Sequence, residues 1–229
     1  MKKLDLQGNF FYNNTAKTLT DDGIVVIHGD GGAIYNSCPV DTDDDCKSTY
    51  INNTFESNHA DHDGGAIKWT GWEPYNITSN NTYGVNNTAA YGPNYAATAI
   101  GLVAITREEY DAGNVDDTSN TRLRREDSSM TSVASGQKEG YEMVLVLRDK
   151  YGQAVLTDTS STATLVSEGG VSLGGTTTMV ASNGVYLFND FSVTASPGTS
   201  GTFRISTDGI VEADVGASTN IDIDVEMRT

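Results

Sequence analysis

The 229-residue sequence is short of cysteine (two), proline (four) and histidine (three), and it contains nothing near a membrane-spanning apolar run. A spanning helix needs about 20 such residues. Two cysteines without a matching histidine pair make a poor zinc site. Basic residues are scarce as well: 14 Lys and Arg stand against 31 Asp and Glu, a net charge of −17. A surface of that sign repels nucleic acid and anionic lipid, so both are excluded as partners. No GxSxG, HExxH or P-loop pattern occurs, which removes the enzyme classes that carry them. The opening "MKKLDLQGNF" has two lysines but no apolar stretch after them, so it does not read as a signal peptide. The expectation is a chain that is mature, truncated, or part of something longer.

What is present in quantity is Gly (24 residues), with Asn, Thr, Ser and Asp. These supply the turn conformations that join many short strands, and the chain reads as all-β. Residues 1–100 repeat themselves. "GGAIYN" begins at Gly31 and "GGAIKW" at Gly64. An aromatic-x-x-Asn phrase precedes each, as Phe11–Asn14 and Phe55–Asn58, and a looser copy runs Tyr83–Asn86. The spacing is uneven. The segment "KTLTDDGIVVIHGD" lengthens the first copy, and the cysteine loop lengthens the step to the second. Short strands and turns repeating in this way indicate a parallel β-solenoid, with Asn stacked at corners and paired glycines where coils approach closely.

The GGAI and FxxN phrases resemble the repeats of chlamydial polymorphic outer-membrane proteins. "GGAIKWTGWEP" with "AAYGPNYAA" is still more similar to large cell-surface proteins of protists that carry the same repeats. The resemblance covers about residues 9–100 and implies a right-handed parallel β-helix with pectin-lyase-like coils, closed by a tract such as "YGPNYAA" and followed by a β-sandwich module. The sequence departs from the pattern at Asn58-His59-Ala60, and its coils are few.

From residue 101 the text turns polar and charged, with one strand at "GLVAIT"; residues 1–104 read as the helix and 105–135 as a connector. The connector includes Arg122–Arg125, "RLRR", a dibasic pattern of the kind cut in secretory pathways, or a solvated basic cluster. Residues 136–229 show seven short alternating or β-branched runs at sandwich spacing: "YEMVLVLRD", "QAVLTD", "ATLVSE", "VSLGGTTTMV", "GVYLFNDFSVTA", "GTFRIST" and "NIDIDVEMRT". "IDIDVEM" alternates apolar and acidic residues with a period of two. "LRDKYGQAVLTD" resembles the Ig-like modules of bacterial and protist surface proteins, which implies a turn at Asp149, Tyr151 and Gly152. The expected fold class is therefore all-β, a short right-handed parallel β-helix followed by an Ig-like β-sandwich.

Candidate sites follow from residue type. Five N-x-S/T sequons, at Asn13, Asn52, Asn76, Asn80 and Asn86, all precede residue 90, where N-linked glycans are expected. Cys38 and Cys46 enclose seven residues and are expected to form a local disulfide. "HADHDGG" offers His59, Asp61 and Asp63 on one face of a strand with His62 on the other, and "DTDDD" offers Asp41, Asp43 and Asp45. Both sets suit at most weak Ca²⁺ or other cation binding. The copy "IHGDGG", with His28 and Asp30, favours a polar corner of the scaffold. The EF-hand pattern fails, because Cys46 and Asn52 stand where Gly and Glu are required. Trp69 and Trp72 are candidate sugar contacts. Lyase or glycosidase chemistry finds little support, since residues 1–100 hold five lysines and no arginine. No cofactor is expected.

A solenoid of about three coils needs covered ends, and the N-terminal end has no evident cap. Leu4, Leu6, Phe10 and Phe11 are therefore the candidate assembly residues. The expected function is a non-enzymatic, glycosylated extracellular subunit or segment of a cell-surface fibril, self-associating end to end. The alternatives are an adhesin or carbohydrate-binding ectodomain and, third, a polysaccharide-active enzyme.

Overall fold

The structure is a computed structural model that describes residues 4–21, 24–39, 46–115, 129–136, 142–211 and 218–229. The chain is all-β; among the described residues the one α-helix is the short Arg107–Asp111, opened by a Thr106–Glu109 capping box. Two compact units divide between Thr98 and Ala99. The division precedes the expected boundary at 104, because the strand Ala99–Ile105 pairs antiparallel with Met143–Asp149 of the second unit.

The first unit is three stacked tiers of short strands. The first tier holds Asp5–Gln7, Phe10–Tyr12, Thr15–Ala16 and Ile34–Cys38. The second holds Thr49–Ile51, Thr54–Glu56, His59–Ala60 and Ile67–Gly71, each parallel to its counterpart. The third is reduced to Thr82–Tyr83, Tyr95–Ala96 and single bridges at Tyr75, Thr88 and Tyr91. An antiparallel hairpin, Leu19–Asp21 with Ile24–Ile27, bulges from the first tier. Cys38 and Cys46 are disulfide-bonded, with Cα atoms 5.6 Å apart.

The repeated phrases have distinct physical duties. In each GGAI the first glycine takes positive φ, 66° at Gly31 and 68° at Gly64. The second sits against the next tier. A Cβ on Gly32 would lie 2.1 Å from the Gly65 carbonyl oxygen, and one on Gly65 would lie 2.2 Å from that of Pro93. Only a residue without a side chain allows tiers to approach so closely. The third tier reads Gly92-Pro93-Asn94-Tyr95, and Ile67 pairs with Tyr95. Pro93 therefore occupies the second-glycine position and is exposed, as the tier on which no further GGAI tier stacks.

The FxxN phrase contributes an aromatic column and an amide ladder. Phe11 stacks on Phe55 at 4.8 Å, Phe55 on Tyr83 at 5.3 Å, and Tyr95 meets Tyr83 edge-on at 5.3 Å. Two asparagine ladders run through the corners. Asn9 donates from its backbone and side-chain nitrogens to Asn53 Oδ1, and Asn53 does the same to Asn81. Asn14, Asn58 and Asn87 repeat the scheme. The third member is Asn87, not Asn86, the last residue of the FxxN-like phrase. Tyr83 pairs with Phe55, so the third corner is one residue longer than the second.

In the second unit one antiparallel sheet comprises Ala99–Ile105, Met143–Asp149 and Val185–Phe188. Another has the order Ser129–Val133, Asn220–Met227, Ser200–Thr207, Thr162–Gly169 and Thr178–Val180. Its first pair is parallel and the rest antiparallel. Ser172–Gly175 and Phe191–Thr194 form a separate ribbon. Asn220–Met227 alternates as its period requires: Ile223, Val225 and Met227 are buried, and Asp222, Asp224 and Glu226 are exposed. Three expected strands differ. "QAVLTD" is reduced to one antiparallel bridge, Ala154 with Arg148, after a tight turn in which the Asp149 carboxylate accepts hydrogen bonds from the Tyr151 and Gln153 backbone N–H groups. "VSLGGTTTMV" and "GVYLFNDFSVTA" each break into two strands. The breaks face each other, where Thr176 N–H donates to the Asp190 carbonyl and Gly175 has φ 79°.

Candidate functional site

The polar residues before the second GGAI divide into two groups. His59 is exposed; its ring contacts Asp61 at 3.0 Å and Thr88 at 2.8 Å. Asp61 also accepts from the Thr18 backbone N–H, and that bond, more than His59, holds its carboxyl below the usual range. Asp63 points elsewhere. His62 Nδ1 lies 2.9 Å from Asp30 Oδ1 and 3.1 Å from Asp63 Oδ1, while Lys68 Nζ is 2.7 Å from Asp63 Oδ2. Lys68 also donates to the Ala97 carbonyl and lies 5.4 Å from the Tyr91 ring centroid. The His28 ring packs on His62 at 4.4 Å.

The set expected to act together, His59, Asp61 and Asp63, is thus split, and Asp30, His62 and Asp63 are brought together instead. Their ligating atoms lie within 4.8 Å of one another. The charges already balance. Hydrogen bonds to Asp30 first and Asp63 second push the His62 imidazole up to about 9, so it is cationic at neutral pH. Lys68 supplies the second positive charge. A divalent ion would have to displace the Nδ1 proton and sit beside a buried ammonium. The cluster is an ion-pair clamp across tiers: Asp30 comes from the first, Asp63 and Lys68 from the second, and Ala97 from the end of the third. Removing one partner of a buried pair costs about 3–5 kcal/mol. Alignment of the two Asp-Gly-Gly phrases was the available signal, since it places Asp30 one tier from Asp63. Asp41, Asp43 and Asp45 lie outside the described residues, as does Arg122–Arg125.

The tryptophans separate as well. Trp69 is buried at 4% exposure, so it is no surface for a sugar. The strand Ile67–Gly71 is covered on both faces at this point, which the expectation of Trp69 as a sugar contact did not anticipate. Trp72 is half-buried, and Lys47 Nζ lies over both its ring (5.1 Å) and that of Tyr75 (4.3 Å), holding an ammonium against the faces a sugar would use.

The first tier presents the most unusual surface. Phe10 and Tyr12 are 63% and 57% exposed and stack on each other at 5.7 Å. Leu4 is exposed, whereas Leu6 and Phe11 turn inward and are half-buried. Asn53, Asn58 and Asn87 are buried, but Asn9 and Asn14 are exposed, and their Oδ1 atoms accept no hydrogen bond from the described residues. The opposite end is closed, because Asn87 Nδ2 donates to Asn94 Oδ1 and Tyr95 covers Tyr83.

The five sequon asparagines share one conformation. Asn13, Asn52, Asn76, Asn80 and Asn86 have φ between 55° and 66°, and the side chain of none makes a hydrogen bond among the described residues. All but the half-buried Asn76 are exposed.

Residues 10–37 match the Chlamydia polymorphic membrane protein repeat. The matched stretch contains one FxxN phrase, Phe11–Asn14, and one GGAI phrase, Gly31–Ile34. No curated protein sequence matches the chain. Among solved structures, domains 4 and 5 of the S-layer protein SbsC are similar at 16% identity and a TM-score of 0.31, over 59% of this chain and 56% of that one. WR4, a C. elegans MSP family member, is similar at 10% identity and a TM-score of 0.27, over 44% of this chain and 93% of that one.

Proposed function

We propose that this chain is a non-enzymatic structural segment of an extracellular, cell-surface fibril. In this reading the first unit is a short right-handed parallel β-helix and the second an Ig-like β-sandwich. N-glycans decorate the β-helix, and assembly runs end to end through the first tier. The carrying observation is the asymmetry of the ladders: closed at Asn94, open at Asn9 and Asn14. The open end offers acceptors, so it fits a tier that presents asparagine N–H donors above an aromatic, the chemistry of another FxxN tier. Phe10 and Tyr12 add apolar area that an isolated tier leaves in water. The repeat match at residues 10–37 supports a surface role of this kind.

The test is electron microscopy of the chain purified from its source, beside a form lacking residues 1–12 and a Phe10→Ser/Tyr12→Ser variant. Filaments from the intact chain, lost in both altered forms while the second unit stays folded, are the expected result. Assembly that survives both changes overturns the proposal.

A further inference from the structure

We propose that Asn52 and Asn80 are alternative acceptors, so that the folded chain carries an N-linked glycan at one of them and not at both. The inference rests on the secreted-glycoprotein reading and adds which sites are compatible. Four of the five sequons are Asn-Asn-Thr, at Asn13, Asn52, Asn80 and Asn86. In each, the first Asn takes the left-handed conformation that Gly and Asn tolerate best, and the second enters a ladder. The corner geometry and the sequon are thus the same three residues. Gly8 (φ 67°) and Ser57 (φ 57°) fill the equivalent left-handed positions that lack a sequon.

Those positions form two columns. One contains Gly8, Asn52 and Asn80; the other contains Asn13, Ser57 and Asn86. Asn52 N–H donates directly to the Asn80 carbonyl at 2.5 Å, so these two corners are nearest neighbours. Adjacent strands stand about 4.8 Å apart, less than the width of a sugar ring with its acetamido arm. In the other column Asn13 N–H donates to Glu56 and Ser57 N–H to Val85, so Ser57 separates the two sequons by about 10 Å, two strand spacings. Attachment has to precede folding, because the middle residue Asn53 is 1% exposed and bonded on both sides, and Asn81, the middle residue of the Asn80 sequon, is half-buried, accepts from Asn53 and donates to the Tyr50, Asn76 and Ser79 carbonyls. A chain modified at both Asn52 and Asn80 then cannot bring its second and third corners together.

The test uses the full chain secreted from a eukaryotic host, with unwanted sequons removed as Asn→Gly to keep the left-handed corners. The Asn13→Gly/Asn76→Gly/Asn86→Gly variant retains only Asn52 and Asn80, and its intact mass counts glycans. The expected result is zero or one glycan, with the two-glycan species at least about tenfold below the product of the single-site occupancies, a penalty of about 1.4 kcal/mol or more. The Asn52→Gly/Asn76→Gly/Asn80→Gly variant should carry two glycans at the frequency of independent sites. A secreted two-glycan form of the first variant at independent frequency overturns the inference. Absence of glycan from all five sites in the unaltered chain overturns the glycoprotein reading beneath it.

Discussion

Replacing Asn58 with Ala should destabilise the first unit far more than replacing Asn14, although both occupy the same ladder. The Asn58 side chain takes part in four hydrogen bonds. Its Oδ1 accepts from the Asn14 backbone and side-chain nitrogens at 3.1 and 2.8 Å, and its Nδ2 donates to the Phe11 carbonyl and to Asn87 Oδ1, both at 3.1 Å. The residue is 0% exposed, so water cannot replace them. At about 1 kcal/mol net for each bond, the loss is about 4 kcal/mol. Asn14 is exposed, and its side chain makes one of these bonds, so Asn14→Ala should cost about 1 kcal/mol. Both tryptophans, Trp69 and Trp72, belong to the first unit, so their fluorescence reports its unfolding separately from the second. In urea, with a slope of about 1.5 kcal/mol/M, the two midpoints should differ by about 2 M. Equal shifts would refute the claim that the ladder strengthens inward from an open end. A change confined to the slope would locate the effect in the unfolded state.

The glycine pairs and the ion-pair clamp make two further tests. Gly65→Ala should cost about 3 kcal/mol or more, since its methyl group would meet the backbone of Pro93 and Thr88. Gly8→Ala, with nothing within 4 Å, should cost only the left-handed strain of about 1–2 kcal/mol; equal costs by thermal unfolding would contradict the close approach. His62 has a folded pKa of about 9, above its unfolded value of about 6.5. Its contribution is therefore full below pH about 6.5 and lost as pH rises through about 9. His62→Gln should flatten the stability profile of the first unit across that window; an unchanged slope would remove His62 as the titrating group.

The all-β class, the tier phrases and the alternation of the last strand were legible because each rests on local pattern. Glycine and asparagine at corners, aromatics at a fixed offset and a period of two all reflect what backbone geometry demands of neighbouring residues. The paired glycines even indicated close coil approach, since few other reasons exist for two in a row before Ala-Ile.

The details of the site were decided by partners distant in sequence. Asn86 matches the FxxN spacing, yet Asn87 enters the ladder, because pairing of Tyr83 with Phe55 sets the register and leaves one extra residue at the corner. Strand alternation grouped His59 with Asp63, but the strand ends at Ala60 and the chain bends at Asp61 and His62, so that Asp63 meets Lys68 and His62 meets Asp30 of the tier before. Trp69 reads as a surface aromatic by its polar neighbours and is buried by tertiary packing. The sequence by itself determined which residues turn, which alternate and which repeat. The stacking of tiers decided which side chains meet, because hydrogen-bond register across 28 to 47 residues is a property of the folded chain.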